Sequence, residues 1–125
     1  MIQRILIIDD EEVWGSLTKR MLAIQIPGCV VETANNGVTG IEKARTFQPQ
    51  VIILDVMLSS ENGWEIATSL KNDPATQAIP IIVASGAGSP FSKDQHIEHD
   101  LIAEYIRKPF DIQALQDAIQ RVIKA

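Results

Sequence analysis

Short aliphatic runs alternate with amphipathic ones along this chain. Arg4–Ile8 and Val51–Leu54 are unbroken aliphatic runs, the pattern of strands buried on both faces. Val30–Thr33, Ile81–Ala84 and Glu104–Arg107 complete a set of five predicted strands. Between the first two, Glu11–Ala23 carries Val13, Leu17 and Met21 at i, i+4 and i+8, which predicts a helix with that stripe facing the core. Pro27-Gly28 stops it. Asn36-Gly37 marks a turn, and Val38–Phe47 is a second helix that uses Ile41 and Ala44 before Pro49. Asn62-Gly63 opens a third helix running to about Asn72. Asp111 is an N-cap for a last helix whose apolar face is Ile112, Leu115, Ile119 and Val122.

The segment before the fifth strand is different. Gly86-Ala87-Gly88-Ser89-Pro90 penalises a helix by about 1 kcal/mol per glycine and about 3 kcal/mol for the proline. A long loop and a short, mobile fourth helix beginning after Phe91, over Lys93–Leu101, are expected there. The alternation as a whole predicts one α/β domain over residues 1–125, a doubly wound (βα)5 unit with a five-stranded parallel sheet. Repeats, linkers and low-complexity segments do not interrupt it.

A chain of 125 residues is long enough to bury a core without disulfides. The net charge of −5 argues against nucleic acid or an anionic membrane as the main partner. No apolar stretch approaches the ~20 residues that span a bilayer, and Met1 runs straight into a strand with no signal-peptide pattern. The single cysteine, Cys29, has no internal partner, which points to a reduced, cytoplasmic setting and an inert buried thiol. Ala125 is either the natural end or a cut. In the first case output is by docking, and in the second a missing domain carries it.

The polar residues that close the predicted strands carry the chemistry. Asp9-Asp10 follow the first strand, Asp55 the third, Ser85 the fourth and Lys108 the fifth. In open parallel sheets ligands bind outside the carboxyl ends of the strands, so these residues meet at one edge. Crowded carboxylates repel one another, and a divalent cation such as magnesium, which takes oxygen ligands, relieves that repulsion. A hydroxyl and an ammonium beside them suit a phosphoryl group. Each residue alone has a plainer role: Asp10 as a helix cap, Ser85 as a loop serine, Lys108 as a surface lysine. Asp55 fits that role least, because no helix begins until Asn62.

The runs Ile5-Leu6-Ile7-Ile8-Asp9-Asp10-Glu11, Val51-Ile52-Ile53-Leu54-Asp55 and Tyr105-Ile106-Arg107-Lys108-Pro109-Phe110 resemble the receiver domain of two-component response regulators. The resemblance covers essentially the whole chain. It implies a flavodoxin-like, CheY-like sheet of order 2-1-3-4-5. It implies Asp55 as phosphoacceptor from a sensor histidine kinase or phosphotransfer protein. Mg2+, or Mn2+, would be held by Asp10, Asp55 and the Met57 backbone carbonyl, with Asp9 acting through water. Ser85 and Lys108 would bind the phosphoryl group, and Tyr105 would change rotamer with it. The Lys108–Pro109 peptide is expected to be cis. The surface of the fourth helix, fifth strand and last helix would then switch toward a downstream protein or an output domain, as a monomer or a phosphorylation-linked dimer. Such a protein assists its own phosphorylation and dephosphorylation and is not a turnover enzyme.

Departures from the pattern are Ser59-Ser60 and Glu61, where the family often has proline and glycine, and Leu101 in place of a glycine. Two other classes compete: a receiver-shaped interaction module that takes no phosphate, and an aspartyl phosphohydrolase. The intact acids, Ser85 and Lys108 argue against the first. The second often needs another acid where Met57 stands, and a cap domain. The glycine-rich loop matches neither nucleotide-binding fingerprint. His96 and His99 read as solvated, Trp14 as a partly exposed helix residue that could report metal binding, and Trp64 as a packing residue.

Overall fold

The computed structural model describes residues 4–55, 62–85, 102–108 and 111–124. Five strands, β1 (Arg4–Ile8), β2 (Val30–Ala34), β3 (Val51–Leu54), β4 (Ile81–Ser85) and β5 (Glu104–Arg107), form one parallel sheet in the order β2-β1-β3-β4-β5. The described helices are α1 (Glu12–Gln25), α2 (Gly37–Phe47), α3 (Gly63–Lys71) and α4 (Ile112–Lys124). The expected fold and strand order are both present. The expected loop at Gly86–Pro90, the helix after Phe91, Leu101, the two histidines and Ser59–Glu61 lie outside the described residues.

The unbroken aliphatic runs have a direct cause. Alternate residues of each strand enter different cores. Leu6, Ile8, Ile52, Leu54, Ile81 and Val83 pack against Ala44 of α2 and Ile66, Ala67 and Leu70 of α3. Ile5, Ile7, Val51, Ile53, Ile82 and Ala84 pack against Leu22 of α1 and Leu115, Ala118 and Ile119 of α4. A helix layer therefore covers each face, and no central strand has a wet side to fill with polar residues. Where α2 crosses β1 the approach is close: a Cβ on Gly40 would stand 2.7 Å from Ile8 Cδ1.

The starts of α2, α3 and α4 follow the sequence signals, whereas α1 has no side-chain cap bond at its N-cap residue Glu11. The Asn36 side chain accepts from Thr39 N–H at 2.8 Å, so Asn36-Gly37 is the cap of α2 rather than a separate turn. Asn62 accepts from Trp64 N–H at 2.9 Å, and Asp111 accepts from Ala114 N–H at 2.7 Å. The predicted face of the last helix is the observed one.

The face of α1 is not the predicted one. Its buried residues are Gly15, Thr18 and Leu22. Val13 is 83% exposed and Leu17 49%, so two members of the expected stripe face outward. The buried stripe repeats with nearly the same period. Leu22 is its one large apolar side chain and packs into the core shared with α4.

Candidate functional site at the strand ends

The sheet itself aligns the two acids. Ile8 of β1 is in register with Leu54 of β3. The next residues continue the same ladders: Asp9 N–H donates to Ala34 O at 2.9 Å, and Asp55 N–H donates to Ile8 O at 2.9 Å. Asp9 and Asp55 therefore emerge side by side at the point where the chain winds to opposite faces, and both are buried. Lys108 leaves β5, two strands from β3 and so about 10 Å away at the usual strand spacing. Its long flexible stem spans that gap. The ammonium donates to Asp9 Oδ2 at 2.6 Å and to Asp55 Oδ2 at 3.2 Å, and the side chain is 11% exposed.

Two further groups complete the pit. Asp9 Oδ1 accepts from Glu11 N–H at 2.9 Å, which ties the start of α1 to the acid. From the first turn of that helix the Trp14 ring reaches Lys108, whose Nζ stands 5.1 Å from the ring centroid. The sequence reading of Trp14 as a partly exposed residue is right about its exposure and misses this contact. Tyr105 and Trp64 pack as a tilted pair with centroids 6.4 Å apart against the core below α3.

Burial pushes the Asp9 carboxyl above the ordinary range, and the hydrogen bonds from Lys108 and the Glu11 N–H only partly oppose this. Burial alone would lower the Lys108 ammonium, but the hydrogen bond to Asp9 and the charges of Asp9 and Asp55 outweigh it, so its net shift is upward. A raised carboxyl pKa means that the folded state holds a proton the unfolded chain releases. Its contribution to stability is thus lost as pH rises from the ordinary carboxylate range through the raised value. Without divalent cation, Asp9→Asn is expected to be more stable than the wild type at pH 7. The difference should shrink toward zero below about pH 4, near the ordinary carboxylate range. Urea midpoints across that range check it, and a destabilised variant at pH 7 would contradict it.

Carboxylate oxygens of Asp9, Glu11 and Asp55 lie within 4.8 Å of one another. This hard-oxygen donor set, part-desolvated and carrying an excess of negative charge, fits a divalent cation. Asp10, expected as a direct ligand, is half-buried and stands outside that set. Glu11 is the member the sequence reading did not assign to the site. Its signal was present, since it directly follows the acid pair, but it read as a charge suited to the helix start. The backbone of Ser85 closes β4 opposite Arg107. Met57 and the Lys108–Pro109 peptide lie outside the described residues. Structure thus brings together Asp9, Asp55 and Lys108 from three strands.

A doubly wound sheet with an acid–lysine pit at its switch point places this cluster at the edge where proteins of that class bind their ligands. A family profile described as the response regulator receiver domain matches residues 5–120. The chain is 30% identical to the protein PilH of Pseudomonas aeruginosa, covering 96% of this chain and 97% of that protein. It is 31% identical to the transcriptional regulatory protein CusR of Escherichia coli, covering 97% of this chain and 51% of CusR. It thus spans about half the length of several curated relatives it matches. Among solved structures, a response regulator receiver domain protein from Clostridium thermocellum superposes with a TM-score of 0.83 at 28% identity, over 98% of this chain and 95% of that one. The chain belongs to the response regulator receiver domain family of two-component systems. Among the described residues, no helix is long and apolar enough to cross a membrane.

Proposed function

We propose that residues 1–125 form a single phosphoaccepting switch, with Asp55 taking a phosphoryl group from a phosphohistidine of a sensor kinase or phosphotransfer protein. The observation that carries this reading is the Lys108 ammonium held between Asp9 and Asp55 at one buried edge. Asp10 and Asp55 would hold Mg2+ or Mn2+ directly, Asp9 through water and the Met57 carbonyl as a further ligand, with the Glu11 carboxylate also in reach. Bound there, the cation would neutralise charge on the phosphoryl oxygens.

The residues do the rest. An Asp55 carboxylate oxygen attacks phosphorus in line as the phosphorus–nitrogen bond breaks, and the histidine ring leaves with the bonding pair. Lys108, already within 3.2 Å of Asp55, stabilises the negative charge on the transferring group. The Ser85 hydroxyl donates to a phosphoryl oxygen. The acyl phosphate carries charge near −2, which draws Ser85 inward and biases Tyr105 and the surface of β5 and its flanking helices toward a downstream protein or output domain. The exposed Val13 and Leu17 of α1 offer an apolar surface to the phosphodonor protein. The activity is self-phosphorylation and self-dephosphorylation in a cytoplasmic protein rather than turnover of a released substrate.

Mass spectrometry tests this with magnesium and a small phosphodonor, or with beryllofluoride. One adduct per chain is expected in the wild type and none in a folded Asp55→Asn variant. A wild type that takes no adduct, or an adduct that survives in the variant, would overturn the assignment.

A further inference from the structure

The Lys108 ammonium has contacts of two different kinds. Asp9 and Asp55 hold it through charge, at 2.6 and 3.2 Å. Trp14 presents its ring with Nζ 5.1 Å from the centroid, inside the range over which an aromatic face attracts a cation. Tryptophan is the strongest of the aromatic side chains in this contact, and it gains strength when the cation is desolvated. The lysine side chain here is 11% exposed.

The position of the ring is built in. Asp9 bonds the ammonium with Oδ2 and the Glu11 N–H with Oδ1. The same carboxylate therefore anchors both Lys108 and the start of α1. The first-turn hydrogen bond from Gly15 N–H to Glu11 O, at 2.9 Å, carries that anchoring through the turn that bears Trp14. The two carboxylates that hold the ammonium are also the groups suited to a cation and, at Asp55, to the phosphoryl group. The indole face is a contact for which neither competes.

We propose that Trp14 is a positioning residue for Lys108: its ring holds the ammonium over the pit by cation–π attraction while the carboxylates serve other ligands. The inference rests on the phosphoacceptor reading of Asp55 and adds to it a residue on α1 that selects the lysine's position. Trp14 touches none of the reacting atoms. Its effect is on where the charge that stabilises the transfer stands when the phosphoryl group arrives.

The test compares the wild type with Trp14→Phe and Trp14→Leu at saturating magnesium, using acetyl phosphate. The phosphorylation rate is expected to fall about three- to tenfold in the leucine variant, with phenylalanine between, as the strength of the ring contact predicts. A purely apolar packing role would instead leave phenylalanine and leucine alike. A second readout needs no phosphoryl transfer. In the metal-free wild type, the ring should shield the Lys108 ε-methylene protons and move their NMR signal upfield. The shift should be smaller in the phenylalanine variant and absent in the leucine variant. An unshifted signal in the wild type, or equal rates in all three proteins, overturns the inference while the adduct on Asp55 stands. A wild type that takes no adduct overturns the parent reading as well.

Discussion

Replacing Lys108 with methionine is expected to slow phosphoryl transfer to Asp55 by about 10²–10³-fold, the usual cost of removing one preorganised electrostatic contact from a reaction centre. The reason is geometric. Lys108 already stands within hydrogen-bonding distance of Asp55, so it needs no rearrangement to meet charge that develops there. Methionine fills similar space without the ammonium. The same substitution should change stability. Asp9 and Asp55 share this cation in a pit where each carboxylate side chain is only 4% exposed. Removing one partner of a buried ion pair costs about 3–5 kcal/mol when the remaining charge is left uncompensated. Protonation offers an escape. Burial already pushes the Asp9 carboxyl upward, and loss of the lysine removes a hydrogen bond and a charge that oppose the shift. The folded variant will hold a proton that the unfolded chain releases, so its stability rises as pH falls toward the ordinary carboxylate range. Denaturant midpoints for both proteins from pH 4 to pH 8, near that range and above it, should diverge as pH rises. Midpoints that differ by a constant amount would show that Lys108 acts through packing alone.

The second large effect lies in α1. Leu22→Ala is expected to cost about 2–5 kcal/mol, the range for a truncated core leucine. Leu22 is fully buried against β1, β2 and α4 residues of the core. Leu17→Ala should cost less than about 1 kcal/mol, as for a substitution outside the core, because Leu17 is 49% exposed. Urea denaturation of the two variants compares two possible rotations of one helix. Equal losses would mean that the Val13, Leu17, Met21 stripe faces the sheet after all. Leu17 should still matter for transfer from a phosphodonor protein and not for transfer from acetyl phosphate, since an exposed apolar side chain on α1 can meet a protein surface but not a small donor.

These results separate what local pattern carries from what it does not. The strands were legible because a sheet covered on both faces leaves each central residue one of two dry environments, and only an aliphatic run satisfies both. Asp55 was legible for the converse reason. A carboxylate directly after Val51–Leu54 ends a run that has no other polar residue, and the sequence predicts no helix start before Asn62 for it to cap. Asp111, Asn62 and Asn36 were legible as caps or turns because the unpaired N–H groups of a helix start are satisfied by neighbours a few positions away.

The orientation of α1 was not legible. Two stripes four residues apart in period run along it, and hydrophobicity chose the larger side chains. The fold buries the other stripe, Gly15, Thr18 and Leu22, and Leu22 enters the core shared with α4. Glu11 and Trp14 belong to the same lesson. Their place at the pit depends on how α1 is rotated and anchored by Asp9, which no local pattern states.

The chain's own sequence thus determined the parallel sheet, its helical cover and the acids and lysine at the strand ends, since burial and capping act over a few residues. Only the tertiary structure decided that Lys108 lies between Asp9 and Asp55 with the Trp14 ring beside it. That arrangement joins residues separated by as many as 99 positions, and it is set by strand order and helix rotation rather than by any neighbour in the chain.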